Sequence, residues 1–148
     1  ELHFWGVEMK PGFPLAFGSF AGERGPLVFG LPGNPVSASV TFEQFVRPAL
    51  RKLTGHRALF RTTIRARLDH DLDKKPGRLH FVRVRLAREG DTWVATSTGN
   101  QSSGVLTSLV QAQGLLVFPA EASALRKGEL ATVQILDDGF LASETSGL

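Results

Sequence analysis

The 148-residue sequence has no cysteine and no tyrosine, and only one methionine and two tryptophans. Without cysteine there is no disulfide framework, no thiolate metal site and no catalytic thiol. That absence fits a reducing, cytoplasmic setting. Long apolar runs are missing as well. The longest uncharged stretch, 92–120, is full of Ser, Thr, Gln, Asn and Gly, so no membrane span is read from it. No signal peptide is visible. The chain opens on Glu1 rather than methionine and runs directly into the strand-like Leu2-His3-Phe4-Trp5, which leads us to expect a fragment or a processed chain. His3, His56, His70 and His80 lack metal-ligand spacing with one another. Asp69-His70-Asp71-x-Asp73 lacks the Gly and distal Glu of a calcium loop and reads as a solvated turn. No metal site is assigned.

With 42% hydrophobic and 21% charged residues, the composition is that of a globular protein with one or two small domains. The formal charge is +3, but it is uneven: ten Lys or Arg face three Asp between Arg57 and Arg88.

The pattern is organised around Leu31-Pro32-Gly33-Asn34-Pro35-Val36-Ser37-Ala38. The apolar run 26–30 before it predicts a buried strand. Ala38, Phe42, Phe45, Val46, Ala49 and Leu53 after it recur at helical spacing. Asn34 takes the N-cap place and Pro35 the first helical position. Two readings fit this junction: a well-made turn and cap, or an anion site built from Gly33, the free amides and the hydroxyls of Ser37 and Ser39. Pro48 is expected to kink the helix and Gly55 to end it. Upstream, residues 2–10 alternate like one strand with a bulge at Trp5-Gly6. Met9-Lys10-Pro11-Gly12-Phe13-Pro14 then enforces an irregular loop, with Lys10 its only cation. A further strand is expected near 15–19 and a hairpin-like turn over 21–25.

From about residue 57 the style changes. Alternation predicts strands near 60–68 and 81–86, and further strands are expected at 92–96, 114–118 and 130–136, with one or two helical turns within 103–110. Five short strands suggest a small β-barrel. The predicted fold class is therefore an α/β fragment followed by an all-β barrel, divided as 1–56 and 57–142, with a mobile tail at 143–148. Arg61, Arg65, Arg67, Arg83 and Arg85, with Phe81 interleaved, would form a cationic strand face. It is read as a solvated face, or alternatively as a nucleic-acid-binding or protein-interaction surface.

Met9-Lys10-Pro11-Gly12-x-Pro14, Phe29-x-Leu31-Pro32-Gly33-Asn34-Pro35-Val36-Ser37-Ala38, Pro48-Ala49-Leu50-Arg51-Lys52-Leu53-x-Gly55, Gly99-Asn100-Gln101-Ser102-Ser103 and Gly114-Leu115-Leu116-Val117-x-Pro119 follow one another in order. Together they resemble the C-terminal part of the molybdopterin molybdenumtransferases, the family of MoeA and the gephyrin E domain. The resemblance implies insertion of molybdate into adenylylated molybdopterin with release of AMP, with Mg²⁺ as the divalent cation and its ligands upstream of Glu1. It also implies a homodimer, and a MogA-like three-layer domain followed by a barrel domain. Lys10, Pro11, Gly12, Pro32, Gly33, Asn34, Pro35 and Ser37 would contribute to the substrate site, while no residue is assigned a catalytic role. Phe13 stands where many bacterial members carry a second lysine. The chain alone is expected to be incomplete for catalysis, and nucleic acid is not an expected partner.

Overall fold

A computed structural model describes residues 1–20 and 25–137. The turn expected over 21–25 and the tail at 143–148 lie wholly or partly outside the described residues, as does part of Asp137-Asp138-Gly139, which reads as a strand-ending turn.

The first sheet is antiparallel and three-stranded, in the order β1 (Leu2–Trp5), β3 (Ala16–Ser19), β4 (Leu27–Gly30). Phe17 on the middle strand holds it together. Its ring lies 5.4 Å from those of His3 and Phe4 and 4.8 Å from that of Phe29, within the range of favourable aromatic pairs. The run 26–30 does form a strand, but it is not buried. Leu27 and Val28, which point to opposite faces of the sheet, are 41% and 49% exposed. The single strand expected over 2–10 is also corrected. The register irregularity falls between Leu2 and Phe4, and Gly6, with φ +82°, turns the chain out of the sheet. The chain then pairs again as β2 (Met9–Lys10), which lies parallel to a strand of the second sheet.

The helical stretch begins at Pro35 and ends at Leu53 as expected, but in three pieces: α1 (Pro35–Thr41), a π-helical turn (Phe42–Val46) and α2 (Arg47–Leu53). Pro48 explains the wide turn. It offers no N–H to the preceding turn, and the Arg47 N–H reaches back five residues to the Phe42 carbonyl. The helix closes with the His56 N–H on the Arg51 carbonyl, 2.9 Å.

The second sheet closes on itself. Its five strands run β7 (Leu79–Glu89), β8 (Thr92–Ser97), β5 (Thr63–Leu68), β11 (Leu130–Ile135), β9 (Gly114–Phe118) and back to β7. Only the β5–β8 pair within the ring is parallel. Closure leaves no open edge in the ring. Inward residues such as Leu68, Val82, Val84, Leu116, Phe118 and Val133 fill the interior. Two-residue strands β6 (Leu72–Asp73) and β10 (Ala124–Leu125) pair beside it, β6 within the stretch that the sequence reads as a solvated turn. A single-turn α3 (Thr107–Val110) precedes β9.

A second apolar cluster joins the two parts of the chain. Met9, Val36 and Val40 pack on Phe81 and Leu115, which point outward from the barrel. This contact brings α1 and the Lys10 loop against β7. Among the described residues no helix is long and apolar enough to cross a membrane.

Candidate oxoanion-binding site

The Lys10-Pro11-Gly12 loop is built onto the barrel from below and onto α1 from the side. In β2, Lys10 pairs in register with His80 of β7. Pro11 and Gly12 are buried. Gly12 has φ +116°, and a Cβ there would sit 2.6 Å from the Thr41 Oγ1 and run into the Met9 side chain. Only glycine lets the loop approach the helix this closely.

Lys10 itself is exposed and borders a cleft of about 490 Å³, shared with Lys74, Lys75, Arg78 and His80. The carboxylates at its rim are already engaged, Glu8 with Arg78 at 3.2 Å and Asp73 with Arg126 at 3.1 Å. Lys74 donates to the Ala120 carbonyl, and Arg78 lies 4.2 Å over the Phe13 ring. Lys10 and Lys75 have no carboxylate partner among the described residues. The cleft is net cationic. His80 registers this field: burial first, and then Lys10, Lys74 and Arg83, push its pKa down to about 4. It is neutral at physiological pH.

Next to the cleft, a cavity of about 120 Å³ is lined by Pro11, Asp73, His80, Arg83 and Gln101 among others. Arg83 is the residue that sequence reasoning placed wrongly. It was expected on an exposed cationic face, yet it is 0% exposed. Alternation along β7 does turn Phe81, Arg83 and Arg85 outward, but α1 covers Phe81 and the 99–108 segment covers Arg83. Only Arg85 reaches solvent. The Arg83 Nε donates to the Ser108 Oγ at 2.8 Å, and Nη2 donates to the carbonyls of Asn100 and Ser102 at 3.3 and 3.2 Å. Nη1 is buried with no hydrogen-bond partner. No carboxylate among the described residues neutralises the group, and burial lowers its pKa without discharging it. A buried, unpaired cation costs several kcal/mol, on the order of what a bound anion returns.

The Pro32–Ser37 junction meets the same loop. The Val36 N–H donates to the Ser103 carbonyl at 3.3 Å, so one of the expected free donors of the helix start is taken by the segment that wraps Arg83. Pro32 and Ser37 are buried, while Gly33, Asn34 and Pro35 are exposed. Asn34 is the N-cap, but its side chain makes no capping bond. Ser39 returns its hydroxyl to the Pro35 carbonyl at 2.9 Å, which removes it as a donor to a ligand. The structure thus gathers Lys10, Pro11 and Gly12 with Arg83, His80, Gln101 and Ser103, and it leaves Gly33 and Asn34 at the outer edge.

Arg85 apart, the other arginines of that face are engaged. Arg61 makes two bonds to Glu43 at 2.9 and 3.0 Å, Arg67 meets Glu89 at 2.6 Å, and Arg65 donates to Thr132 and the Leu130 carbonyl. Phe81, the aromatic expected among these arginines, is 7% exposed and offers no face for a base to stack on. The nucleic-acid alternative has no support here. Asp69, read as part of a solvated turn, is tied in: its carboxylate accepts from Thr96 and contacts His70. Asp71 accepts from the Lys127 N–H at 2.8 Å. Among the described residues no group of three or more His, Cys, Asp or Glu that could hold a metal ion is found.

Comparison with known proteins accords with this architecture. Residues 1–52 match the family model described as a probable molybdopterin binding domain, and residues 65–136 match that of the MoeA C-terminal region, domain IV. The molybdenum cofactor synthesis protein cinnamon of Drosophila melanogaster is 34% identical over 96% of this chain and 24% of its own length. Molybdopterin molybdenumtransferase 1 of Mycobacterium tuberculosis is 36% identical over 92% of this chain and 33% of its own. A molybdenum cofactor biosynthesis protein from Pyrococcus furiosus superposes with a TM-score of 0.72 at 33% identity, covering 91% of this chain and 45% of that one. The chain thus spans about a quarter to a third of the length of these curated relatives. From the two matched regions in this order, and from the closed barrel they end in, the chain belongs to the molybdopterin molybdenumtransferase family and corresponds to its C-terminal part.

Proposed function

We propose that this chain serves molybdenum cofactor biosynthesis as the oxoanion-holding part of a molybdopterin molybdenumtransferase, which inserts molybdate into adenylylated molybdopterin and releases AMP. One observation carries the reading: Arg83, a buried guanidinium with no carboxylate partner among the described residues, borders a cavity shared with the Lys10-Pro11 loop. Molybdate and the pterin phosphate are both anions. An ammonium and a guanidinium fixed before the ligand arrives hold such groups without reorganisation. In this reading Arg83 takes the oxoanion deep in the cavity, and Lys10 faces it from the cleft. Pro11 and Gly12 keep the loop in place, and Pro32, Gly33, Asn34, Pro35 and Ser37 form the outer wall. We further propose a homodimer, a cytoplasmic location and a division between the two parts near residues 56–57. Mg²⁺, the divalent cation expected for the reaction, would be held by residues other than those described.

Titration of the chain with adenylylated molybdopterin at about 0.15 M salt, where exposed charges are screened, tests the assignment. Binding is expected, and Asn34→Asp, which adds a negative charge at the outer wall, weakens it. Binding of a single-stranded oligonucleotide instead, indifferent to Asn34, would overturn the proposal.

A further inference from the structure

We propose that Phe140 and Leu141, which follow the last barrel strand, dock into the apolar groove between α1 and the barrel and so strap the two parts of the chain together. The proposal stands on the groove and on the sequence, and it does not depend on the oxoanion reading.

The groove has a volume of about 420 Å³. Ala38, Val40 and Phe42 line it from the helical side, and Leu109, Leu115 and Leu136 line it from the barrel side. Val40 and Leu115 form its floor at 1% and 0% exposure, while Phe42 at the rim is 38% exposed. The two polar side chains that border it are both committed. The Ser39 hydroxyl donates to the Pro35 carbonyl at 2.9 Å, and the Glu43 carboxylate accepts two bonds from Arg61 at 2.9 and 3.0 Å. What the groove offers is apolar surface, and an apolar side chain gains most from filling it.

The sequence supplies such side chains next to the groove. Leu136, itself part of the lining, is followed by Asp137-Asp138-Gly139-Phe140-Leu141-Ala142, of which residues from 138 onward lie outside the described ones. Four residues span at most about 14 Å, so Phe140 stays within that distance of the groove's own wall. Asp-Gly is a preferred turn dipeptide and lets a chain reverse, here back over Leu136. After Ala142 the sequence becomes polar, Ser143-Glu144-Thr145-Ser146, so the apolar stretch is short and local. A segment tethered this closely acts at an effective concentration in the millimolar range, which favours it over a second copy of the chain. Because both parts of the chain wall the groove, its occupant braces α1 against α3 and β9.

The chain has no cysteine, so an introduced pair reports the docking without competing thiols. Ser39→Cys combined with Leu141→Cys is expected to form an intrachain disulfide under oxidised glutathione, read as a faster-migrating monomer on a non-reducing gel. Adding Phe140→Ser, which removes the other anchor, should slow that closure about tenfold or more, the weight of one buried aromatic ring. A disulfide-linked dimer in place of the monomer puts a second copy in the groove and overturns the proposal. Closure at a rate indifferent to Phe140→Ser overturns it as well, because the tether alone then accounts for the bond. So does a folded pair variant that forms no disulfide. Should the pair variant not fold, the wild-type chain decides by itself. NOEs from the Phe140 ring to the methyl groups of Leu109 and Leu136 are expected there, and their absence defeats the docking.

Discussion

Arg83 and His80 lie three residues apart on β7, and each is held in its costlier state. Arg83 is charged without a counter-charge, and His80 is kept neutral by burial and by the cations around it. The second condition is visible as a pH dependence of stability. The folded-state pKa of about 4 lies below the ordinary 6.5, so the unfolded chain binds the proton first. Stability is therefore level above about pH 6.5 and declines as the pH falls from there toward 4. Urea unfolding at steps across that window should show the decline, and His80→Gln should flatten it. Bound molybdate should raise the His80 pKa, and a His80 proton titration by NMR with and without the anion checks this. Gly12 is the other residue with a sharp expectation. Gly12→Ala puts a Cβ at positive φ against Thr41, a strain on the order of 1–3 kcal/mol, read as a lower denaturation midpoint.

At the scale of elements, the barrel stands on period-two strands around one interior. Leu116 is 0% exposed at its centre, and Leu116→Ala should cost about 2–5 kcal/mol in chemical denaturation. Alternation made β5 and β7 legible in sequence, and short strand-like runs between turns marked 92–96, 114–118 and 130–136, which form β8, β9 and β11 almost residue for residue. Period alone, however, says which way a side chain points and not what lies over it. Arg83 and Phe81 point outward as their positions suggest, and they are buried by a helix and a loop from elsewhere in the chain. The polar, uncharged run Gly99-Asn100-Gln101-Ser102-Ser103 was the one signal that could have found Arg83, since it supplies neutral acceptors and no carboxylate. β2 was illegible for a different reason. Two residues carry no period, and their parallel pairing with β7 is a long-range contact. Between elements, the two-pronged bond of Arg61 to Glu43 links the π-turn to the approach of β5. Partly exposed, it should contribute about 1 kcal/mol, so Glu43→Gln is expected to be a mild change in the same assay.

Over the whole molecule, the small sheet and the helix do not stand apart from the barrel. Met9, Val36 and Val40 share an apolar cluster with Phe81 and Leu115, and that contact brings the Lys10 loop beside Arg83. The sheet itself keeps an uncovered apolar face, with Leu2, Trp5 and Val28 each about half exposed or more. A face of that kind on a lone chain invites association. The central claim, however, concerns the seam between the two parts, where cations from both converge in excess of the carboxylates around them. The most direct measurement is a calorimetric titration of the chain with molybdate at about 0.15 M salt, repeated with Lys10→Ala and Arg83→Met. The account predicts saturable binding that Arg83→Met abolishes and Lys10→Ala weakens about three- to tenfold, as expected for one partly solvated charge. No saturable binding by the wild-type chain, or binding that neither substitution alters, would contradict it.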